Sequence, residues 1–207
     1  MKTPMLQPSP VWGVNREQSS GGRPGFIPWE VNNNMIETTK NKSSMNDAVL
    51  TRTNEQIKHE LASAYYYLAA SAYFASENLP GAAKWMRKQS TEEVAHAMKL
   101  FDFVHDRGRR ATLEQLDKPS ADFTSPLDVF TRALRHEERV TALINGLYEV
   151  AVAEKDYPAQ ILLQWFITEQ VEEERNAGDI VSQLKMVGDD KVGLLALDER
   201  LGKRGDE

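Results

Sequence analysis

No cysteine occurs in the 207 residues, which excludes disulfides, thiolate metal sites and thiol chemistry. Any metal must therefore sit on histidine, carboxylate or amide groups, donors that suit iron, manganese or zinc. Basic residues are outnumbered as well, 25 Lys and Arg against 31 Asp and Glu, for a net charge of -6. A nucleic-acid surface needs a concentrated basic stripe, so no nucleic-acid partner is expected. Long apolar runs are missing too: none reaches the roughly 18 residues of a membrane span, and the N-terminus has no apolar signal core. A cytoplasmic protein with no membrane partner is the expectation.

Proline and glycine are scarce over most of the chain and gathered at its front. Residues 1–44 hold Pro4, Pro8, Pro10, Pro24 and Pro28, with Gly13, Gly21, Gly22, Gly25 and the run Asn32, Asn33, Asn34. No apolar period can be traced there, which predicts a disordered extension in which Trp12, Phe26, Ile27 and Trp29 are isolated apolar groups. Residues 45–207 are then one domain, long enough to bury a real core.

Within that domain the pattern is helical throughout. From Asn46 to Leu79 there is neither proline nor glycine, and a stripe of Ile57, Leu61, Ala64 and Leu68 carries Glu60 and Tyr67 on the same side. A short break leads to Pro80, suited to the start of a second helix, which presents Met86, Glu93, Ala97, Leu100 and Val104 and stops at Gly108. Residues 109–124 are too long for a simple turn between neighbours. Ser125-Pro126 then marks an N-cap and first helical position. This third helix has the stripe Phe130, Leu134, Glu137, Thr141, Ile144, Tyr148 and Ala151. After the turn at 155–158, a fourth presents Leu163, Phe166, Gln170, Glu173, Ala177, Ile180 and Leu184 and ends at Gly188. A last segment from Lys191 to about Gly202 is too short to be stable alone and must pack on its own bundle or on symmetry mates. Two short loops and one long one predict an all-α four-helix bundle with a single long crossover and a short fifth helix.

Each of the four long helices interrupts its apolar stripe with a group able to hold a metal: Glu60; Glu93 with His96; Glu137; Gln170 with Glu173. Residues three apart on a helix lie about 60° apart around the axis, so Glu93 and His96 share a face. Ionised groups are rarely buried unless paired or metal-bound, and four converging carboxylates raise one another's pKa. Two divalent cations would neutralise them. The oxygen-rich set, with at most one imidazole per ion, favours a dinuclear Fe(II)/Fe(III) site over structural zinc. Tyr67 reads equally as core packing or as a hydrogen-bond and electron donor to a ligand; Trp165 likewise reads as core or redox neighbour.

From about Asn46 to Arg204 the chain resembles the bacterial non-haem ferritins. The resemblance rests on Asn54-Glu55-Gln56 through Glu60, on Glu92-Glu93-Val94-Ala95-His96, on Leu163-Gln164-Trp165, on Thr168-Glu169-Gln170-Val171-Glu172-Glu173-Glu174, and on Gly193-Leu194-Leu195-Ala196-Leu197-Asp198. It implies a ferritin-like bundle forming a homo-oligomeric shell of twenty-four subunits that oxidises Fe(II) with dioxygen or hydrogen peroxide and stores ferric mineral. It further implies that Glu60, Glu93 and His96 bind a first iron, that Glu93, Glu137 and Glu173 bind a second, and that Gln170 orients water or dioxygen. A third iron site is implied at Glu92, Glu169 and Glu172, with surface charge as the lesser alternative reading of these residues. Val94 stands where bacterioferritins carry a haem-ligating methionine, so no haem is expected. Gln160 and Leu163 stand where animal ferritins place channel acids. A free-standing di-iron oxidase or peroxidase without mineral storage is the alternative.

Overall fold

The computed structural model describes residues 44–203. The expectations for residues 1–43, including those for Trp12, Phe26, Ile27 and Trp29, lie outside the described residues. Five helices account for most of the domain: α1 (Asp47–Ser76), α2 (Pro80–Asp106), α3 (Pro126–Ala153), α4 (Tyr157–Val187) and α5 (Lys191–Gly202). Helices α1 and α2 pack together as one hairpin and α3 and α4 as another, with α1 against α3 between them. The all-α bundle with one long crossover is thus the observed architecture. No helix among the described residues is long and apolar enough to cross a membrane.

Local chemistry sets the ends. Asn46 accepts from the Ala48 N–H, Ser125 from Asp128, Asp156 from Ala159 and Asp190 from Val192, so α1, α3, α4 and α5 each carry their own cap. Helix α2 starts at Pro80 with no side-chain cap of its own. Its first turn is instead satisfied by α5: the Asp198 carboxylate accepts from the Gly81 N–H at 3.0 Å and from the Ala82 N–H at 2.7 Å. The approach requires glycine, since a Cβ at Gly81 would lie 1.8 Å from the Asp198 carbonyl oxygen. The fifth helix therefore packs on its own bundle.

The crossover between α2 and α3 is pinned along α1. Thr112 donates its N–H to Asn54 at 3.1 Å, Lys58 pairs with Glu114 at 2.9 Å, and Phe123 packs edge-on against Tyr66.

Two stripes are shifted from their sequence reading. On α1, Leu68 is 49% exposed and Leu61 only partly buried, whereas Gln56, Ser63 and Ser71 face inward. Leu61 and Leu68 directly follow Glu60 and Tyr67, and one residue turns the chain by about 100°, so they fall on the flank of the buried face. On α3 the expected Phe130, Glu137, Ile144 and Ala151 are buried and are joined by Val129, Ala133, Val140 and Leu147, while Leu134, Thr141 and Tyr148 are only half-buried beside them. The stripes on α2 and α4 are buried as expected.

The core falls into two apolar clusters. One, toward α5, contains Phe74, Trp85, Met86, Phe130, Ile180 and Leu184. The other, toward the start of α1, contains Val49, Ile57, Leu100, Ile144, Leu163 and Phe166. The polar groups of the four long helices lie along the bundle between these clusters.

Candidate metal centre

Glu60, Glu93, Glu137, Gln170 and Glu173 are all at most 6% exposed, and His96 is 7% exposed. Periodicity explains the convergence, since each occupies a core position of its own helix. The ligating atoms of Glu60, Glu93 and His96 all lie within 4.8 Å of one another, the one such group of three or more metal-competent side chains among the described residues. His96 Nδ1 stands 3.8 Å from Glu93 Oε2. Glu137 and Gln170 meet across α3 and α4, where Gln170 Nε2 donates to Glu137 Oε2 at 3.3 Å.

Neutral donors hold several of these carboxylates. Gln56 Nε2 donates to Glu60 Oε1 at 2.9 Å, Gln89 Nε2 to Glu173 Oε2 at 2.5 Å, and Tyr67 gives its phenol hydrogen to Glu137 Oε1. Tyr67 is therefore both fully buried and bonded to a carboxylate of the cluster, which joins its packing and hydrogen-bonding readings. Gln56 and Gln89 were missed as site residues from sequence. The signal was present: each is a polar residue in a core position, one turn before Glu60 and Glu93 respectively.

Electrostatically the centre is loaded with acid. Burial pushes the Glu93 carboxyl well above its usual range, and the neighbouring Glu137 and Glu60 push it further. Burial raises Glu60 too, against the easing hydrogen bond from Gln56. Glu137 is pushed up to about 7 by burial, with Tyr67 and Gln170 pulling the other way. His96 is lowered to about 4, first by burial and then by Lys99. It is thus neutral at physiological pH with a nitrogen lone pair to offer. Such an arrangement disfavours its own charge and is set up to receive cations.

The flanking acids are different. Glu92 lies 3.8 Å from Lys88, Glu172 lies 3.9 Å from Arg175, and Glu172 is exposed. Glu169 is raised by burial and by the charges of Glu172 and Glu92, which places the three as electrostatic neighbours. Trp165 is 37% exposed, edge-on to His96 with ring centroids 5.3 Å apart and the Lys99 ammonium 4.0 Å over its ring. Leu163 is a core residue and Gln160 donates to the Ala151 carbonyl at 3.1 Å. The side chains α4 turns outward near them are Ile161, Gln164, Trp165 and Thr168.

Comparison with known proteins gives a consistent picture. Residues 50–187 match the ferritin-like domain that defines the ferritin family. A bacterial non-heme ferritin of Bacteroides fragilis is 41% identical over 151 residues, covering 73% of this chain and 94% of that protein. One from Staphylococcus aureus is 35% identical over 156 residues, covering 75% and 94%. Among solved structures, an open-pore ferritin from the hyperthermophilic archaeon Archaeoglobus fulgidus superposes with a TM-score of 0.77 at 45% identity, covering 78% of this chain and 99% of that one.

Proposed function

The chain belongs to the ferritin family and is an iron-storage ferritin; from that premise we propose that it oxidises Fe(II) at the buried carboxylate centre before storing the product. The observation that carries the reading is the burial of Glu60, Glu93, Glu137 and Glu173 from four separate helices around His96. Iron here is the substrate. Glu60, Glu93 and His96 receive one Fe(II), and Glu93, Glu137 and Glu173 a second, with Glu93 spanning the two. Two doubly charged ions match four carboxylates, relieving the repulsion that raises Glu93. Binding therefore releases the protons that Glu93 and Glu137 hold.

Each Fe(II) gives up one electron. Dioxygen takes two electrons and two protons to become hydrogen peroxide, or peroxide takes two electrons and two protons to become two waters. Gln170, its amide aimed at Glu137 and Thr141, orients the incoming oxygen species or water. Tyr67 fixes the Glu137 carboxylate and stands where it can supply an electron. Glu92, Glu169 and Glu172 form a third, more exposed station for iron beside the pair.

Storage requires an enclosed volume, and we assign the subunit to a shell of twenty-four copies. Supporting this are the relatives above and large apolar side chains left uncovered on the single chain: Tyr65 and Leu68 on α1, Met186 near the end of α4, Val192 and Leu195 on α5. The test is aerobic addition of Fe(II) followed by microscopy of negatively stained protein. Oxidation above the buffer rate with electron-dense cores inside hollow particles is expected. Oxidation at the buffer rate would remove the enzymatic part, and a dimer with no mineral would leave a free-standing di-iron oxidase.

A further inference from the structure

Two buried glutamines occupy equivalent places in the first hairpin. Gln56 precedes Glu60 by one turn on α1, and Gln89 precedes Glu93 by one turn on α2; they are 2% and 0% exposed. Their amides go to different destinations. Gln56 Nε2 serves Glu60 on its own helix at 2.9 Å, while Gln89 Nε2 crosses from α2 to Glu173 on α4 at 2.5 Å. A carboxylate with one oxygen engaged by a fixed donor presents the other in a defined direction. An amide does this without adding charge, and it keeps donating at every pH at which the protein folds.

We propose that Gln56 and Gln89 are positioning residues that divide the two iron positions between them, Gln56 setting the first through Glu60 and Gln89 the second through Glu173. The inference rests on the two-iron reading above. Glu93, assigned to both ions, has the Glu60 carboxylate and the His96 ring beside it and also feels the charges of Glu137 and Glu173, so its placement is shared by both halves. Gln89 has the further effect of linking the α2 half of the centre to the α4 half. The donor atom, and not the volume, is what each glutamine contributes, because methionine would fill nearly the same space.

The experiment is anaerobic Fe(II) titration by calorimetry on the full assembled chain and on Gln56→Met and Gln89→Met. Circular dichroism of each apo protein is the check on folding, and Gln89→Asn, an amide too short to reach Glu173, is the second variant if methionine is not tolerated. The wild type should take two Fe(II) tightly per subunit. Gln89→Met should weaken the second Fe(II) by about tenfold or more while leaving the first within about twofold; Gln56→Met should do the reverse. Equal losses at both positions, or none, in folded variants would overturn the division of labour. A wild type that binds fewer than two Fe(II) fails the two-iron reading itself, a result distinct from either.

Discussion

Tyr67 on α1 donates its phenol hydrogen to the Glu137 carboxylate on α3, with both side chains at most 1% exposed. The bond ties the buried carboxylate layer to the aromatic cluster of Trp85 and Phe130, since the Tyr67 ring lies edge-on to Trp85 at 6.4 Å. Replacing Tyr67 with Phe keeps the ring and removes the donor. A buried carboxylate then loses a partner, which costs about 1–3 kcal/mol. We expect a lower apo melting temperature, an intact fold and slower Fe(II) oxidation in stopped-flow absorbance. Wild-type oxidation kinetics would show that Tyr67 acts by packing alone.

Glu93 and His96 offer a more direct cut. Their ligating atoms belong to the Glu60 cluster, and both are nearly buried. Glu93→Ala or His96→Ala should slow the rapid phase of oxidation by at least about tenfold while the bundle still forms. Removing Glu93 relieves a carboxyl that burial and its acidic neighbours disfavour, against the cavity that alanine leaves, so the apo Glu93→Ala protein should keep its helical circular dichroism. Both variants oxidising iron at the normal rate would place the chemistry elsewhere.

The helices and the buried acids of the candidate centre were legible in the sequence for one shared reason: a carboxylate in an apolar stripe is conspicuous. Glu60, Glu93, Glu137 and Glu173 stood out against Ile57, Leu100, Ile144 and Phe166. The caps at Ser125 and the turn at Gly188 were legible because their chemistry is local. Less visible were Gln56 and Gln89, neutral groups that a core position does not forbid. Leu68 misled because apolar character was taken for burial, when many large apolar side chains remain on a protein's surface, while Leu61 packs only partly buried on the flank of the core. The capping of α2 by Asp198 could not be read, because it joins residues 117 positions apart.

That long-range cap gives a test of α5. Adding a methyl group at Gly81 places it against the Asp198 backbone carbonyl, where no rotamer change can relieve the contact. Gly81→Ala should displace α5 and cost about 1–3 kcal/mol. Asp198→Ala leaves the packing but strips two N–H groups of their acceptor, a loss of about 0.5–2 kcal/mol. Thermal melts rank the two, and size-exclusion chromatography should show fewer assembled particles for Gly81→Ala. A Gly81→Ala protein that melts and assembles as wild type would mean that α5 is loosely held.

Removal of residues 1–44 should change little. Among the described residues the buried core starts at Met45, which is 1% exposed and whose carbonyl accepts from Arg109 Nη1 at 2.5 Å. A protein starting there keeps Asn46, the cap of α1. Chromatography and oxidation assays on the shortened protein should match the full chain, and failure to assemble would give the front segment a structural role.

Glu137 makes the cost of the empty centre measurable through pH. Its folded pKa of about 7 lies above the ordinary glutamate value of 4.5, so the folded state binds its proton more tightly than the unfolded chain does. The favourable contribution is complete below about 4.5 and is lost as pH rises through about 7. Glu137→Gln cannot ionise, and its carbonyl oxygen still accepts from Tyr67. Apo wild type and variant should therefore be similar in stability at acidic pH. The variant should then pull ahead between about 4.5 and 7, by on the order of 3 kcal/mol at most. His96 and His136, both lowered to about 4 by burial first, titrate in the opposite sense, destabilising the fold as pH falls from 6.5 toward 4. They do so in both proteins and cancel in the difference. Denaturant melts of the two apo proteins at stepped pH give the curve directly. Adding Fe(II) under anaerobic conditions at neutral pH should close the gap, because bound cations offset the charge of Glu137 only in the wild type. A stability difference that stays flat across this pH range would mean that Glu137 ionises in the folded protein as easily as in the unfolded chain.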